Sequence, residues 1–260
     1  MAESASQVVS IRGLTKTFRV AGREVKALDG VDLTLSSNEI LGIVGESGSG
    51  KSTIGRILAG LETATSGEIH VGGGASSKVQ MIFQDPYASL NPRLTIGLQI
   101  HETLRGSGQT DRAANLATAA ELLIRVGLPA DAVDRYPHEF SGGQRQRIAI
   151  ARAISTQPRV VVADEPVSAL DVSIRGQILD LLIGMKSQSA QLFISHDIAA
   201  VASICDRILV LHHGKVVEHG MTAEIISHPK ADYTRKLLDA IPRIGRRRLG
   251  TGIKPTETIA

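Results

Sequence analysis

Residues 45–52 read GESGSGKS, which matches the spacing G-x-x-x-x-G-K-[ST]. They follow an apolar segment at 40–44, which is predicted to be a buried strand, and they precede a predicted helix. Glycines let successive backbone N–H groups surround phosphate oxygens, and the positive end of the helix dipole adds to that attraction. Lys51 can neutralise charge on the β- and γ-phosphates, and the Ser52 hydroxyl can ligate Mg²⁺. The loop therefore predicts a site for a nucleoside triphosphate.

Two adjacent carboxylates, Asp164 and Glu165, follow an apolar segment at 160–163 that is predicted to be a strand. An aspartate at this point can orient Mg²⁺ through a water molecule, and the glutamate can polarise the attacking water. The pair alone is a weak signal, because many strands simply end in an acidic loop. Its weight comes from the glycine loop upstream.

A second helix start suited to phosphate binding lies at 141–144, which reads SGGQ. Ser141 can cap the helix, and Pro158 lies beyond its predicted end. This segment is distant in sequence from the glycine loop. Two phosphate-binding helix starts in one chain make sense if each nucleotide is shared between two protomers.

Strand and helix patterns alternate along the chain. Apolar strand segments at 40–44, 160–163 and 192–194 are separated by apolar residues at helical spacing. Such alternation is typical of an α/β fold with a mostly parallel sheet covered by helices. The polar, helix-rich stretch at about 98–157 is then an inserted subdomain, and residues 207–211 and 215–218 form a closing hairpin.

Two helices carry specific predictions. In the first, an apolar stripe is formed by Ile54, Ile57, Leu58 and Leu61, at positions i, i+3, i+4 and i+7. Asp171 is placed to cap the second, a later helix.

The 260-residue chain has 42% hydrophobic and 21% charged residues, which is globular composition. Its formal charge of +3 reflects residues 241–260, which carry five basic residues and one acidic residue. The rest of the chain is nearly neutral and gives little support to nucleic-acid binding. One cysteine excludes a disulfide framework within the chain, and a reducing, cytosolic compartment is the plain interpretation. No secretory signal or membrane-spanning run is recognised, so a membrane role would be peripheral.

Six segments together resemble the motifs of the ABC transporter ATPase family, in the same order and at comparable spacing. They are the Walker A loop at 45–53, the Q-loop at 84–86, the signature at 141–144, the Walker B carboxylates at 164–165, the D-loop at 168–171 and the switch histidine segment at 195–197. The resemblance covers about residues 8–240. It implies a P-loop NTPase α/β fold with a RecA-like, mostly parallel sheet core, an antiparallel β-subdomain and an inserted helical subdomain.

The resemblance also implies a division of the chain. The expected parts are a single ABC ATPase domain at 1–240, with its core at 8–84 and 158–222, its helical subdomain at 85–157 and its C-terminal helices at 223–240. Residues 241–260 are expected to be a basic, disordered tail.

ATP and Mg²⁺ are the ligands that the resemblance implies. Phosphate contacts are assigned to Gly45, Ser47, Gly48, Ser49, Gly50, Lys51, Ser52 and Thr53. Contacts to Mg²⁺ are assigned to Ser52, Gln84 and, through water, Asp164. Glu165 is implied as the catalytic base and His196 as a contact to the γ-phosphate, while Lys51 and Gln84 complete the catalytic set.

The implied assembly is a head-to-tail dimer of two ABC ATPases with two ATP molecules at its interface. Each ATP is held by Lys51 of one subunit and by Ser141 with Gly143 of the other, and Gln144 and Asp171 belong to the same nucleotide-binding set. Phe18 occupies the position where the family places an aromatic ring against adenine. A core phenylalanine is the alternative interpretation.

A closer resemblance is to the oligopeptide, dipeptide and nickel importer ATPases. The segments that carry it are QDPYASLNPR at 84–93, ALDVS at 169–173, His228-Pro229, Tyr233-Thr234 and Leu237-Leu238. That branch implies two related ATPases on two permease subunits at the cytoplasmic face of the membrane, served by an extracytoplasmic binding protein. The surface from Asp85 to Ile96 would then receive the permease. Di- and oligopeptides are the leading substrates, and nickel or another small solute is the alternative.

Two features depart from that branch. The chain between 67–69 and 79–81 is short, as if part of the antiparallel β-subdomain were trimmed, and it includes a GGGASS patch at 72–77 that predicts a flexible loop. Residues 243–260 contain no cysteine, so no iron–sulfur cluster is predicted.

Two other function classes compete with an importer. An ABC-type ATPase of DNA repair or chromosome organisation would need long coiled coils or a tandem cassette, and the nearly neutral body also argues against it. An exporter ATPase shares all the nucleotide motifs, so only the segments at 87–92 and 228–229 favour import.

Overall fold

The computed structural model describes residues 6–20, 22–72 and 79–240. Within them the strands are β1 (Gln7–Val20), β2 (Arg23–Ser36), β3 (Ile40–Val44), β4 (Ser66–Val71), β5 (Val79–Ile82), β6 (Val160–Asp164), β7 (Ala190–Ser195), β8 (Arg207–His212) and β9 (Lys215–Met221). The helices are α1 (Lys51–Leu58), α2 (Pro86–Ser89), α3 (Ile96–Gly106), α4 (Arg112–Arg125), α5 (Gly142–Ile154), α6 (Val172–Gly184), α7 (Ile198–Ile204), α8 (Thr222–Ser227) and α9 (Asp232–Asp239). Short 3-10 turns lie at Ala130–Asp134 and Pro137–Glu139.

The strands form two sheets. The central sheet has the order β5-β6-β7-β3-β8-β9, parallel except for the antiparallel edge strand β9. The second sheet is antiparallel, in the order β2-β1-β4. The predicted α/β fold, with a mostly parallel core and an antiparallel β-subdomain, is therefore confirmed.

The central strands are apolar throughout because both faces of the sheet are covered. Along β3, Ile40 and Val44 pack into one hydrophobic cluster with the helical side of the molecule, whereas Leu41 and Ile43 pack into the other cluster with the antiparallel sheet. This alternation follows from the period of two along a strand. The fully buried β3 thus fixes the origin of the loop that follows it.

The predicted helix after this loop ends earlier than its apolar pattern indicated. Helix α1 stops at Leu58, and Leu61 is 57% exposed rather than part of the buried stripe. Gly60 adopts φ 72°, its N–H donates to the carbonyl of Ile57, and the N–H of Leu61 donates to the carbonyl of Arg56. These two hydrogen bonds form a Schellman cap, which terminates a helix through a left-handed glycine. The stripe prediction was wrong at Leu61 for that reason.

The later helix predictions are confirmed. Ser141 caps α5, and its hydroxyl accepts the N–H of Gln144 while the Gln144 side chain accepts the N–H of Ser141. Asp171 caps α6 by accepting the N–H of Ile174. The closing hairpin is β8 and β9, joined through His213 and Gly214 at φ 47° and 75°, which is the left-handed pair that a tight hairpin turn requires.

Two predicted segments fall largely or wholly outside the described residues. The loop predicted at 72–77 lies outside the described residues except for Gly72, and so does the basic tail at 241–260. Among the helices of the described residues, none combines the length and apolar character needed to cross a bilayer.

Candidate nucleotide-binding site

A cleft of about 650 Å³ opens at the edge of the central sheet where the parallel strands end. It is lined by Ala27, Gly45, Glu46, Ser47, Gly48, Gly50, Lys51, Ser52, Thr53, Gln84, Glu165, His196 and Leu237. Most of the residues predicted to contact phosphate are therefore brought together. In open α/β sheets this edge is the common position of ligand sites.

Strand order explains this convergence. Strands β6, β7 and β3 are neighbours, paired in parallel so that their carboxyl ends coincide. Gly45 follows β3, Glu165 follows β6 and His196 follows β7. Residues that are separated by more than a hundred positions in the sequence thus meet at one point.

Two loop glycines are required by close backbone approaches. Gly45 has φ 156°, and a Cβ there would lie 2.1 Å from the carbonyl oxygen of Leu211. Gly50 has φ 105°, and a Cβ there would lie 2.5 Å from the carbonyl oxygen of Ala27. Any side chain at either position would displace the backbone beneath the loop.

The Lys51 ammonium is held inside the loop. Its Nζ donates to the carbonyl oxygens of Gly45 at 2.8 Å and Glu46 at 2.9 Å. Burial lowers the pKa of Lys51, while the charges of Glu165 and Asp164 oppose that shift. A cation held only by neutral carbonyls has a strong preference for an anionic partner, and phosphate oxygens supply one.

Behind the loop, the Ser52 hydroxyl donates to Asp164 at 2.9 Å. Asp164 is only 5% exposed, and burial raises its pKa despite the hydrogen bond from Ser52; the charge of Glu165 raises it further. Gln84, exposed on the cleft wall, supplies another oxygen. Hydroxyl, carboxylate and amide oxygens are the donors that Mg²⁺ prefers, so the predicted set fits this ion.

Glu165 is the most constrained carboxylate of the cleft. It is 8% exposed and has a left-handed backbone with φ 50°. Its Oε1 accepts the backbone N–H of His196 at 2.9 Å and lies 2.8 Å from Nδ1 of the same residue, while Oε2 accepts the Ser195 hydroxyl at 3.3 Å. Strained backbone is common where a side chain must be aimed. These contacts orient the carboxylate that the sequence predicted as a general base.

Ser49 differs from the other predicted phosphate contacts, because it does not line the cleft. Its side chain is buried beneath the loop, and its Oγ has no hydrogen-bond partner among the described residues. Its N–H donates to the carbonyl of Glu46 at 3.2 Å.

The second predicted helix start is not part of this cleft. Ser141, Gly143, Gln144 and Asp171 are absent from its lining. Gly143 packs against α6, where a Cβ would lie 2.6 Å from the side chain of Ile174. One protomer therefore presents the two phosphate-binding helix starts separately.

Phe18 also lies away from the lining residues. It is half-buried on β1, paired with Val25 of β2, and the Nζ of Lys16 lies 4.7 Å from its ring centroid. The ring already has a cation as its neighbour. A contact between Phe18 and adenine stays a prediction.

Four residues near the cleft were not predicted. Ala27, Glu46 and Leu237 line it, and the hydroxyl of Tyr233 accepts the N–H of Glu46 at 3.0 Å. The sequence singled out Tyr233 and Leu237 only as part of a family resemblance. No local pattern connects them to a loop almost two hundred positions earlier.

Together the fold and the cleft define a P-loop nucleoside triphosphatase. A glycine loop joins the buried parallel strand β3 to helix α1, and a carboxylate pair lies at the end of β6, two positions from β3 in the sheet. The family model described as ABC transporter matches residues 28–168. The chain belongs to the ABC transporter family, as an ATP-hydrolysing cassette.

Relatives and solved structures agree with this assignment. A putative peptide import ATP-binding protein of Brucella ovis is 45% identical over 249 residues, covering 90% of this chain and 78% of the relative. The oligopeptide transport ATP-binding protein OppF of Lactococcus lactis is 49% identical over 234 residues, covering 85% and 73%. The dimeric post-hydrolysis structure of the ATP-binding cassette MJ0796 bound to ADP and Pi is 28% identical, with a TM-score of 0.74, covering 82% of this chain and 98% of that chain.

The buried charge of Asp164 has a measurable cost. Because its pKa is raised on folding, the folded chain binds protons more tightly, and the free energy of unfolding falls as pH rises through that pKa. We expect Asp164→Asn to raise the free energy of unfolding of the nucleotide-free chain at neutral pH by roughly 0.5–2 kcal/mol, a common gain when a functional group is relieved of strain. Urea denaturation across the acidic to neutral range measures it.

The matched control is Asp171→Asn, because hydrogen bonds from the backbone N–H of Ile174 and from Ser173 lower the pKa of Asp171. Because this pKa is lowered on folding, the contribution of Asp171 to the free energy of unfolding grows as pH rises. Asp171→Asn should therefore lower the free energy of unfolding at neutral pH. Two outcomes would contradict a raised pKa for Asp164. One is a lower free energy of unfolding in Asp164→Asn at neutral pH, and the other is a gain in that free energy that persists at acidic pH.

Proposed function

We propose that this chain is the ATP-hydrolysing subunit of an importer for di- and oligopeptides. It acts at the cytoplasmic face of the membrane, on permease subunits that receive substrate from an extracytoplasmic binding protein. The proposal is carried by one observation: Gln84, which lines the nucleotide cleft, is directly followed by an exposed surface at 85–96, and that surface contacts α5. The names of the peptide and oligopeptide import relatives support the choice of substrate.

The nucleotide is shared between two cassettes, identical or related. Ser141 and Gly143 lie outside the protomer's own cleft, at the start of the 13-residue helix α5. The N-terminus of such a helix attracts anions through its free N–H groups and its dipole. ATP bound by Lys51 of one cassette would present its γ-phosphate to this helix start on the other, with Gln144 and Asp171 beside it. The dimeric cassette of similar fold supports this arrangement.

Hydrolysis then follows from the side chains of the cleft. The Glu165 carboxylate accepts a proton from a water molecule while the water oxygen forms a bond to the γ-phosphorus. The bond between that phosphorus and the bridging oxygen of ADP breaks, and Lys51 stabilises the charge that moves onto the phosphates. His196, exposed beside Glu165, hydrogen-bonds the γ-phosphate. Mg²⁺ held by Ser52, Gln84 and, through water, Asp164 would supply further charge neutralisation.

The surface at 85–96 is ordered from within. Asp85 caps the short helix α2 by accepting the N–H of Tyr87 at 2.8 Å. Buried Gln99 accepts the N–H of Asn91 at 2.9 Å and donates to the carbonyls of Asn91 and Leu94 at 3.1 and 3.0 Å. A single buried amide therefore fixes the turn, which leaves the outer face free for a partner.

This surface is connected to the signature helix. The ring of Tyr87 is 54% exposed and has the Arg145 guanidinium 4.9 Å from its centroid. Arg152, also on α5, donates to the carbonyl of Ser89. A movement of α5 on ATP binding would carry α2 with it. Permease subunits bound there would be shifted between their inward- and outward-facing populations.

The same contacts support the proposed division of the chain. Residues 85–157 would move as a helical subdomain relative to the core at 8–84 and 158–222. The core includes the glycine loop and both carboxylates, whereas the helical subdomain includes the signature and the permease surface. ATP would close the two cassettes by bridging these parts.

The role of Glu165 is tested by Glu165→Gln. The amide oxygen can still accept the backbone N–H of His196, so the fold should be retained while the base is lost. We expect kcat to fall roughly 10²- to 10⁴-fold with ATP affinity preserved. ATP-bound dimers should then accumulate in size-exclusion chromatography.

Glu121→Gln, an exposed substitution on α4, is the control and should hydrolyse ATP at the parent rate. Parent-rate hydrolysis by Glu165→Gln would show that the base is a different residue.

Import is tested by tagging the chain in its native host and purifying it from membranes in mild detergent. Mass spectrometry should identify two permease subunits and a second, related ATPase. Tyr87→Ala should reduce recovery of the permeases, whereas Tyr136→Ala, a second exposed tyrosine outside 85–96, should not. Recovery of the chain alone would contradict a role in transport.

The same complex identifies the substrate. In proteoliposomes with its binding protein, it should take up labelled di- and oligopeptides when ATP is present and leave nickel outside. Uptake of nickel without peptide uptake would replace the proposed substrate by the metal.

A further inference from the structure

Helix α9 contacts the phosphate-binding loop. The N–H of Glu46 donates to the Tyr233 hydroxyl at 3.0 Å, although the two residues are 187 positions apart. Leu237, one turn further along α9, lines the nucleotide cleft. The family model ends at residue 168, so its match does not include this helix.

Two hydrogen bonds hold the peptide group between Gly45 and Glu46. Its carbonyl oxygen accepts Lys51 Nζ at 2.8 Å, and its N–H donates to the Tyr233 hydroxyl. A trans peptide is planar, with its carbonyl and N–H pointing in opposite directions. Partners at both ends therefore fix the orientation of the peptide plane at the start of the loop.

Tyr233 is itself held firmly. Its ring stacks on His212, the last residue of β8, with centroids 3.9 Å apart and planes at 24°. Buried Glu218 of β9 accepts the N–H groups of Lys230 and Ala231 at 2.8 and 3.0 Å, which anchors the chain just before α9. Burial raises the pKa of Tyr233, although the hydrogen bond from Glu46 opposes the shift. The hydroxyl therefore stays neutral near physiological pH.

The hairpin that carries α9 also supports the loop from below. The N–H of Gly214 donates to the carbonyl of Ser49 at 2.9 Å, and the carbonyl of Leu211 closely approaches Gly45. The hairpin of β8 and β9 thus supports the loop directly, and α9 holds it from the side. The hairpin acts on Gly45 and Ser49, and α9 acts on Glu46, so the loop is restrained from two directions.

We propose that α9 is part of the nucleotide site and that Tyr233 is a positioning residue for ATP binding. It fixes the Gly45–Glu46 peptide so that the N–H groups that follow in the loop stay directed at the triphosphate. If the Lys51 ammonium turns toward phosphate on ATP binding, its hydrogen bond to the Gly45 carbonyl is weakened. The hydrogen bond from the Glu46 N–H to Tyr233 then still fixes the orientation of this peptide.

The test is Tyr233→Phe, which removes the hydroxyl and keeps the ring on His212. One neutral hydrogen bond lost from the loop should raise the equilibrium Kd of a fluorescent ATP analogue, and KM for ATP, roughly three- to tenfold. Because Tyr233 is absent from the residues that line the cleft, kcat should stay within about twofold of the parent. The Tm of the nucleotide-free chain should be unchanged within about 2 °C.

Tyr136→Phe is the matched control, since it removes the same atom from a tyrosine on the helical subdomain, and it should bind ATP as the parent does. Parent Kd and KM in Tyr233→Phe would overturn the proposal. So would a fall in kcat at unchanged KM, or a loss of affinity that appears only together with a lower Tm. None of these measurements depends on the transported substrate, so failure of the import proposal is distinguishable from failure of this one.

Discussion

The site depends on the way a buried ammonium is held inside a tight turn of backbone. Lys51 needs oxygen partners because an unpaired buried charge is costly, and the carbonyls of Gly45 and Glu46 supply them. To supply them the chain must curl so closely that Leu211 and Ala27 exclude any side chain at Gly45 and Gly50. The glycines, the buried strand before the loop and the hairpin beneath it all follow from this one requirement.

The carboxylates extend the same logic across the sheet. Asp164 and Glu165 are both buried beside each other, and burial raises the pKa of Asp164, so its charged form opposes folding. Glu165 keeps its orientation through contacts with Ser195 and His196, at the end of the neighbouring strand, and through its own left-handed backbone. Such a site favours any ligand that brings positive charge to the carboxylates and negative charge to Lys51. Triphosphate with its metal ion does both, which couples ligand binding to relief of local strain.

The sequence was most informative where function is local. The glycine loop, the Ser141 and Asp171 caps and the carboxylate pair are each encoded within a few consecutive residues, so they could be predicted in type and position. The parallel core followed from the alternation of apolar strands and helices. The early end of α1 depends on Gly60, whose left-handed conformation outweighed the apolar pattern that includes Leu61. The contact between Tyr233 and Glu46 depends on how α9 packs against the hairpin, and no local pattern could indicate it.

The most direct test of the account is the ATP affinity of Lys51→Ala, measured by titration calorimetry against the parent chain. Loss of the ammonium removes charge-assisted hydrogen bonds to phosphate, so ATP should bind roughly 10- to 100-fold more weakly. Lys186→Ala, a lysine paired with Asp206 and absent from the cleft lining, should bind ATP as the parent does. An unchanged ATP affinity in Lys51→Ala would show that the loop does not hold the triphosphate through this residue, and would contradict the central claim.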